Sequence, residues 1–247
     1  MQRAQATQDD RASAVAAPPH RTALAWAVHL FTASGAVVGT LALIDIGEGN
    51  LTGAALLMMA AFAIDAADGA LARAVGVSQL LPQIDGRRLD DLVDFLNYVV
   101  VPTAFMIAAG TLPHWSFAAL PVLSSCYGFA QTAAKTEDDF FLGFPSLWNL
   151  VAIYAWGFGL SPTTGVLWVV FLSAMVFVPL KYAYPSKLKV LRTVTVGLGV
   201  LWGCAVSLWI GLQDRVGDVP LLEISLVYPA YYFALSFWLG GLHRKVR

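Results

Sequence analysis

Long apolar segments, separated by short polar clusters, run through most of this 247-residue chain. Breaks at Pro, Gly and charged residues divide it into eight segments, most of which reach the roughly 20 residues that a membrane-spanning helix needs. The predicted spans are 22–46, 51–75, 89–110, 114–134, 146–160, 162–182, 190–212 and 220–242. The fifth is the shortest, and no loop is long enough for a soluble domain. The pattern therefore predicts an all-α, polytopic integral membrane protein with about eight transmembrane helices.

The residues before the first span have a different character. Residues 1–20 are polar and rich in alanine, and we expect them to form a disordered tail. A cleaved signal peptide is not expected, because no apolar segment with a small-residue cleavage site precedes the first full-length span. Residues 21–247 would then form one membrane-embedded domain.

Composition excludes several other classes of protein. Hydrophobic residues make up 58% of the chain and charged residues 13%, and mean hydropathy is +0.67; an average soluble domain has about 25% charged residues. Soluble enzymes, disordered linkers and disulfide-stapled secreted scaffolds are therefore excluded. The net charge of −1 provides no basic field for nucleic acid. Cys126 and Cys204 lie inside apolar segments and are interpreted as small core hydrophobes.

The distribution of Lys and Arg predicts the orientation. With the N-terminus inside, only Arg215 of the fifteen Lys and Arg residues lies on the outside. Cytoplasmic loops of membrane proteins carry such an excess of positive charge. The asymmetry also supports an even number of spans, since an odd number would scramble it. We therefore expect both termini, including the tail, to be cytoplasmic.

Four aspartates lie within or at the ends of the second and third spans, where a charge costs a few kcal/mol. Asp65 and Asp68 are three residues apart on one predicted helix, and Asp90 and Asp94 are four apart on the next. At about 100° per residue, each pair faces one side of its helix. Tyr98 shares the face of Asp90 and Asp94. Intramembrane carboxylates are functional candidates, and these four would meet near the cytoplasmic surface of the membrane.

Four carboxylates at close range repel one another unless a cation or protons neutralise them. An all-oxygen set favours Mg²⁺, Mn²⁺ or Ca²⁺ over zinc. The alternative is a set of structural ion pairs with Arg73, Arg87 and Arg88. These arginines lie near the bilayer surface, where water could solvate them without a partner.

The aspartates belong to a longer pattern, D-x-x-D-G-x-x-A-R followed by G-x-x-x-D-x-x-x-D. Its residues are Asp65, Asp68, Gly69, Ala72 and Arg73, then Gly86, Asp90 and Asp94. This pattern resembles the signature of the CDP-alcohol phosphatidyltransferase family. Twelve residues separate Arg73 from Gly86, whereas a shorter spacer is usual in that family. The long spacer is similar to the bacterial phosphatidylcholine synthase branch, as are the stretches 29–35 and 135–149. In the first span Thr32 matches the family, but Val28 and His29 replace its Pro-Asn pair.

The resemblance implies an enzyme that transfers the phosphatidyl group of CDP-diacylglycerol to choline and releases CMP. It implies two ions, Mg²⁺ or Mn²⁺, held by Asp65, Asp68, Asp90 and Asp94. Asp94 would also be the general base for the choline hydroxyl. The CDP moiety would be bound by Gly69, Ala72, Arg73, Thr32 and Gly86. The active site would face the cytoplasm at the bacterial inner membrane, among membrane lipids, and a homodimer is left open.

A quaternary ammonium has no hydrogen-bond donor, so aromatic faces and carboxylates should recognise choline. Tyr98, one turn beyond Asp94, is the first candidate, and Phe140, Phe141, Trp148 and Tyr154 are further ones. Packing between helices is the alternative role for each ring.

Two other functions are weighed against this one. Another acceptor in the same family, serine or glycerol 3-phosphate, is the first; a phosphorylated acceptor would need an extra basic cluster beside the aspartates. An ion-coupled transporter is the second, and it would place its carboxylates near the bilayer midplane, often with repeated or broken helices. No repeat is evident in the sequence, and the acids cluster near one surface.

Overall fold

The computed structural model describes residues 18–131, 136, 140–188, 190–216 and 219–241. The predicted tail, residues 1–20, lies almost entirely outside the described residues. Five helical segments are long and apolar enough to cross a membrane: Pro19–Gly47, Leu51–Val75, Gly86–Ala108, Arg192–Gln213 and Leu221–Leu239. The prediction of a helical, multi-pass membrane protein is confirmed.

The first two long helices form a hairpin. Helix α1 (Pro19–Gly47) and helix α2 (Leu51–Val75) pack against each other extensively. The turn between them contains Gly49, whose φ of 78° suits a residue without a side chain. Asn50 caps α2, because its side-chain oxygen accepts a hydrogen bond of 3.0 Å from the Gly53 amide. A short helix, α3 (Val77–Leu80), follows α2.

The third span is one composite helix. It consists of α4 (Gly86–Phe95), a π-helical turn (Leu96–Val100) and α5 (Val101–Ala108). Pro102 lies just after the π turn; proline has no N–H and clashes with the carbonyl four residues earlier, which disfavours a regular α-helical turn at this point. Such π turns are frequent at functional sites.

Three of the eight predicted spans are shorter than expected. A 3₁₀ turn (Trp115–Ala118) and α6 (Ala119–Ala130), α7 (Trp148–Gly157) and α8 (Pro162–Met175) occupy these regions. Helices of 10–14 residues extend only about 15–21 Å. The described residues therefore contain five helices long enough to cross a membrane and three that are shorter than a span, so the expected count of eight spans is not reached there. The chain ends in α9 (Arg192–Val216), α10 (Leu221–Ser225) and α11 (Val227–Leu239).

Two segments that lie far apart in the sequence form a small antiparallel ribbon, which the hydropathy pattern did not predict. Strand β1 (Phe140–Leu142) pairs with β2 (Lys181–Ala183), with Phe141 opposite Tyr182. The predicted sixth span, 162–182, is wrong at its end, because its helix stops at Met175 and its last residues belong to β2. A strand cannot pair its backbone N–H and C=O groups within itself, as a helix does, so these groups need hydrogen-bond partners from other segments.

Helix α11 supplies some of the partners of this ribbon. The Tyr232 hydroxyl donates to the Ala183 carbonyl at 2.9 Å, and the Ala183 amide donates to the Ser236 hydroxyl at 3.0 Å. The ribbon is thereby tied to the last helix of the chain.

Candidate active site

A single cavity collects the predicted carboxylates from neighbouring helices. Its lining comes from α1, α2, α4 and the π turn, and consists of Thr32, Ala61, Ile64, Asp65, Asp68, Asp90, Val93, Asp94, Asn97 and Tyr98. Helical spacing explains the convergence, because residues three or four apart lie on one face of a helix.

Three of the carboxylates have a geometry that fits a divalent cation. One oxygen from each of Asp65, Asp68 and Asp90 lies within 4.8 Å of the others. Oxygen ligands at about 2.0–2.6 Å from a common ion are separated by distances of this size. Asp94 lines the same cavity. The donor set is all oxygen, which suits Mg²⁺ or Mn²⁺.

A neighbouring hydroxyl holds one of these carboxylates. The Tyr98 hydroxyl donates a hydrogen bond to Asp65 Oδ2. The Thr32 hydroxyl donates to the Val28 carbonyl of its own helix at 3.4 Å and lines the cavity together with Asp68. Asp68 is 6% exposed. Partners such as the Tyr98 hydroxyl orient carboxylates that coordinate metals and are a regular part of metal sites.

Close contact between α1 and the third span brings the two halves of the site together. A Cβ on Gly35 would lie 2.8 Å from Val93 Cγ1, and one on Gly39 would lie 2.4 Å from Asn97 Oδ1. The Asn97 amide nitrogen donates to the Gly35 carbonyl at 3.0 Å and to the Val93 carbonyl at 3.1 Å. Sequence reasoning assigned no role to Asn97 and Gly39. The G-x-x-x-G spacing of Gly35 and Gly39, a known helix-packing pattern, would have indicated this contact.

The residues expected to bind CDP surround the end of α2 and the start of α4. A Cβ on Gly69 would lie 3.3 Å from Arg73 Nη1, so the guanidinium of Arg73 lies close to this glycine. A Cβ on Gly86 would lie 3.1 Å from His29 Cε1. His29 is 8% exposed, and its Nε2 has no hydrogen-bond partner in the described part of the chain.

The twelve-residue spacer folds into a structure of its own. Gly76 ends α2 with a φ of 74°, which favours glycine. Val77, the first residue of α3, and Leu81, which follows α3, are buried with Ala25 and Val28 of α1 in a small apolar cluster, against which Ala72 packs. The spacer is therefore an additional packing layer over α1.

Arg88, near the site, forms an ion pair outside the cavity. Arg88 Nε lies 3.4 Å from Asp85 Oδ2, and both side chains are exposed. The Asp85 carboxylate also caps α4 by accepting from the Arg87 and Arg88 amides. Asp85 does not line the cavity, so this ion pair does not neutralise the four clustered carboxylates.

Three of the aromatic residues expected to contact choline, Tyr98, Trp148 and Phe140, are not together. Tyr98 lines the cavity and is 6% exposed. Trp148 is fully buried in the hydrophobic core, where its indole N–H donates to the Ser125 hydroxyl at 2.8 Å. Phe140 packs against Gly240, and the Lys181 ammonium lies 5.5 Å from its ring centroid. Neither Trp148 nor Phe140 lines the cavity that contains the carboxylates.

Comparisons with known proteins agree with the geometry of the site. The family model described as CDP-alcohol phosphatidyltransferase matches residues 23–183, which include all four aspartates and both strands. A phosphatidylcholine synthase of Borreliella burgdorferi is 39% identical over 222 residues, which cover 87% of this chain and 94% of the relative. One of Legionella pneumophila is 38% identical, covering 87% and 88%, and one of Pseudomonas aeruginosa is 32% identical, covering 89% and 93%. The chain belongs to the CDP-alcohol phosphatidyltransferase family.

Proposed function

We propose that the protein is a phosphatidylcholine synthase, which transfers the phosphatidyl group of CDP-diacylglycerol to choline and releases CMP. The observation that carries the proposal is the four-carboxylate cavity between α1, α2 and the third span. Relatives named phosphatidylcholine synthase that align with most of the chain support choline as the acceptor.

The carboxylate cluster is the proposed metal centre. Asp65, Asp68 and Asp90 would hold a first divalent ion, and Asp90 and Asp94 would contribute to a second. Mg²⁺ or Mn²⁺ held by these residues would supply positive charge to neutralise the diphosphate and the departing phosphate of CMP. The proposal is supported by the convergence of three oxygens within 4.8 Å.

Asp94 is the proposed general base. It would take the proton of the choline hydroxyl, so that the choline oxygen forms a bond to the phosphorus that carries diacylglycerol. The bond from that phosphorus to the bridging oxygen of the diphosphate breaks, and CMP leaves with the electron pair. A base must lie next to the reacting group, and the position of Asp94 in the cavity lining supports this role.

The end of α2 and the start of α4 are the proposed site for the CDP moiety. Arg73 would bind phosphate, and Gly69 would allow it close access to the backbone. Ala72, Gly86 and Thr32 complete the set. The place of Thr32 in the cavity lining, with the carboxylates, supports its inclusion.

The proposed location is the bacterial inner membrane, with both termini and the active site facing the cytoplasm. Arg73 and Arg88 lie near the site, at the end of α2 and the start of α4. Positive charge at this end of the spans is typical of the cytoplasmic side.

Release of CMP from CDP-diacylglycerol tests the proposed function. The purified full-length protein would be assayed in lipid nanodiscs with choline, serine or glycerol 3-phosphate as the acceptor. We expect CMP and phosphatidylcholine with choline and little product with the other two. Transfer to serine or glycerol 3-phosphate in preference to choline would contradict the acceptor assignment but leave the family chemistry intact.

A further inference from the structure

The β1–β2 ribbon brings together two aromatic rings, and their adjacency was not predicted from the sequence. Phe141 lies in β1, and Tyr184 follows β2 directly. Their ring centroids are 4.8 Å apart, with an angle of 35° between the planes. Both side chains are partly buried. Because the ribbon is hydrogen-bonded to α11, the position of this pair is set by the fold rather than by a free loop.

Tyr184 lies outside the cavity lining but within the electrostatic reach of its carboxylates. Burial raises the pKa of Tyr184; the nearby carboxylates of Asp65 and Asp90 raise it further, and Arg73 lowers it. The phenol is therefore neutral at physiological pH, and its ring lies in the field of the proposed metal ligands. Tyr184 thus connects the aromatic pair to the charges of the proposed metal ligands, although neither ring lines the cavity itself.

A cation already lies beside this ring. Lys187 Nζ is 5.1 Å from the centroid of Tyr184, which is within the roughly 6 Å of a cation–π contact. Lys187 is exposed and belongs to the 3₁₀ turn that follows Tyr184. The ring of Tyr184 therefore accepts a positive charge in the geometry that a quaternary ammonium requires.

The size of choline limits where its ammonium can bind. Only two carbons join the ammonium to the reacting hydroxyl, so the ammonium site must be next to the metal ligands. Tyr98 borders the cavity, but its ring is 6% exposed and packs edge-to-face on Phe62 at 6.3 Å, and its hydroxyl donates to Asp65. Tyr184 and Phe141 are less buried than Tyr98 and offer more accessible aromatic surface.

We propose that Phe141 and Tyr184 bind the trimethylammonium group of choline, at the position beside Tyr184 that the Lys187 ammonium takes in this structure. The inference rests on the proposed function, since it assigns the acceptor subsite of that reaction. Choline would displace the Lys187 side chain, which is on the exposed side of the turn. A group without N–H donors is held there by aromatic faces and nearby carboxylates.

Kinetics of Tyr184 and Phe141 variants test the inference. Tyr184→Ala and Phe141→Ala should each raise the choline KM about 2- to 30-fold, the range for one aromatic face, while the CDP-diacylglycerol KM changes less than twofold. Tetramethylammonium, which has the cation but no hydroxyl, should inhibit the parent protein competitively with choline. Its inhibition constant should rise in both variants by the same factor as the choline KM.

Phe140→Ala is the matched control. Phe140 precedes Phe141 in the same strand but packs on Gly240 and Lys181, so its loss should leave the choline KM unchanged. Melting temperatures of all three variants show whether the ribbon still folds. Should one variant melt early, the leucine variant at the same position, which keeps an apolar side chain, replaces it in the comparison.

Lys187→Gln removes the ammonium group beside Tyr184 and tests whether it occupies the position that choline would take. If the lysine competes for the choline position, this variant should keep or lower the choline KM. A raised choline KM in Lys187→Gln, or equal effects of Phe140→Ala and Phe141→Ala, would overturn the inference. Choline-dependent CMP release by the parent protein is measured first. Its absence would contradict the proposed function itself, whereas unchanged choline KM values in stable variants would contradict only this subsite.

Discussion

Tyr98 has two candidate roles: its ring can contact choline, and its hydroxyl can orient Asp65. The sequence favoured contact between the Tyr98 ring and choline, which Tyr98→Phe would preserve. In the structure the hydroxyl donates to Asp65 Oδ2, and Asp65 belongs to the three carboxylates that fit a cation. Tyr98→Phe removes this donor and keeps the ring, so it tests the hydroxyl alone.

The expected magnitude follows from the chemistry of the pair. A hydrogen bond to a charged group contributes about 1.5–3 kcal/mol, and loss of a group that orients a metal ligand typically costs about 10- to 100-fold in metal affinity or activity. We therefore expect Tyr98→Phe to weaken metal binding about 10- to 100-fold. The choline KM at saturating metal should change less than twofold.

Two measurements check this expectation. Titration with Mn²⁺ followed by electron paramagnetic resonance measures metal binding without turnover, and CMP release against Mg²⁺ concentration measures activation. Tyr154→Phe is a matched control, because it also removes a hydroxyl that is hydrogen-bonded to a neighbour, Ser225, but away from the cavity. The reasoning is refuted if Tyr98→Phe binds Mn²⁺ like the parent protein.

Three further predictions concern the metal, the base and the helix contact. EDTA should abolish transfer and added Mg²⁺ or Mn²⁺ should restore it, because an anionic diphosphate and four carboxylates repel one another; full activity in chelated protein would contradict the metal centre. Asp94→Asn should reduce kcat by about 10²- to 10⁴-fold with little change in CDP-diacylglycerol binding, measured by equilibrium titration, and near-parent turnover would exclude Asp94 as base. Gly39→Ala places a methyl 2.4 Å from Asn97 Oδ1 and should destabilise the fold by about 1–3 kcal/mol, seen as a lower melting temperature. Gly47→Ala, with no atom within 4 Å, is its control and should melt like the parent protein.

Much of the candidate site was predictable because its geometry is local. Asp65 and Asp68 share one helical face, as do Asp90 and Asp94, and two adjacent helices with such faces tend to bring them together. The structure places all four in one cavity lining. The contact with α1 required more than local spacing. It depends on the absence of side chains at Gly35 and Gly39 and on the Asn97 amide.

The roles of individual aromatic side chains could not be predicted in the same way. Trp148 and Tyr98 are similar in sequence context, since both lie in apolar segments near polar residues. Their burial is also similar, yet Trp148 donates to Ser125 within the core and Tyr98 donates to a carboxylate at the cavity. The partner that each side chain meets comes from a distant segment, and single-sequence patterns carry little information about it.

The sequence by itself determined that this is a multi-pass helical membrane protein with a family signature on two neighbouring spans. Apolar segments about 20 residues long can satisfy their backbone within a membrane only as helices, so composition and spacing were sufficient. Only the tertiary structure decided that 140–142 and 181–183 form a ribbon and that Phe141 and Tyr184 are adjacent. Strands of three residues have no local pattern strong enough to predict them. Their stability comes from pairing across about 40 residues of sequence and from hydrogen bonds to the last helix, and contacts of that kind exist only once the chain is folded.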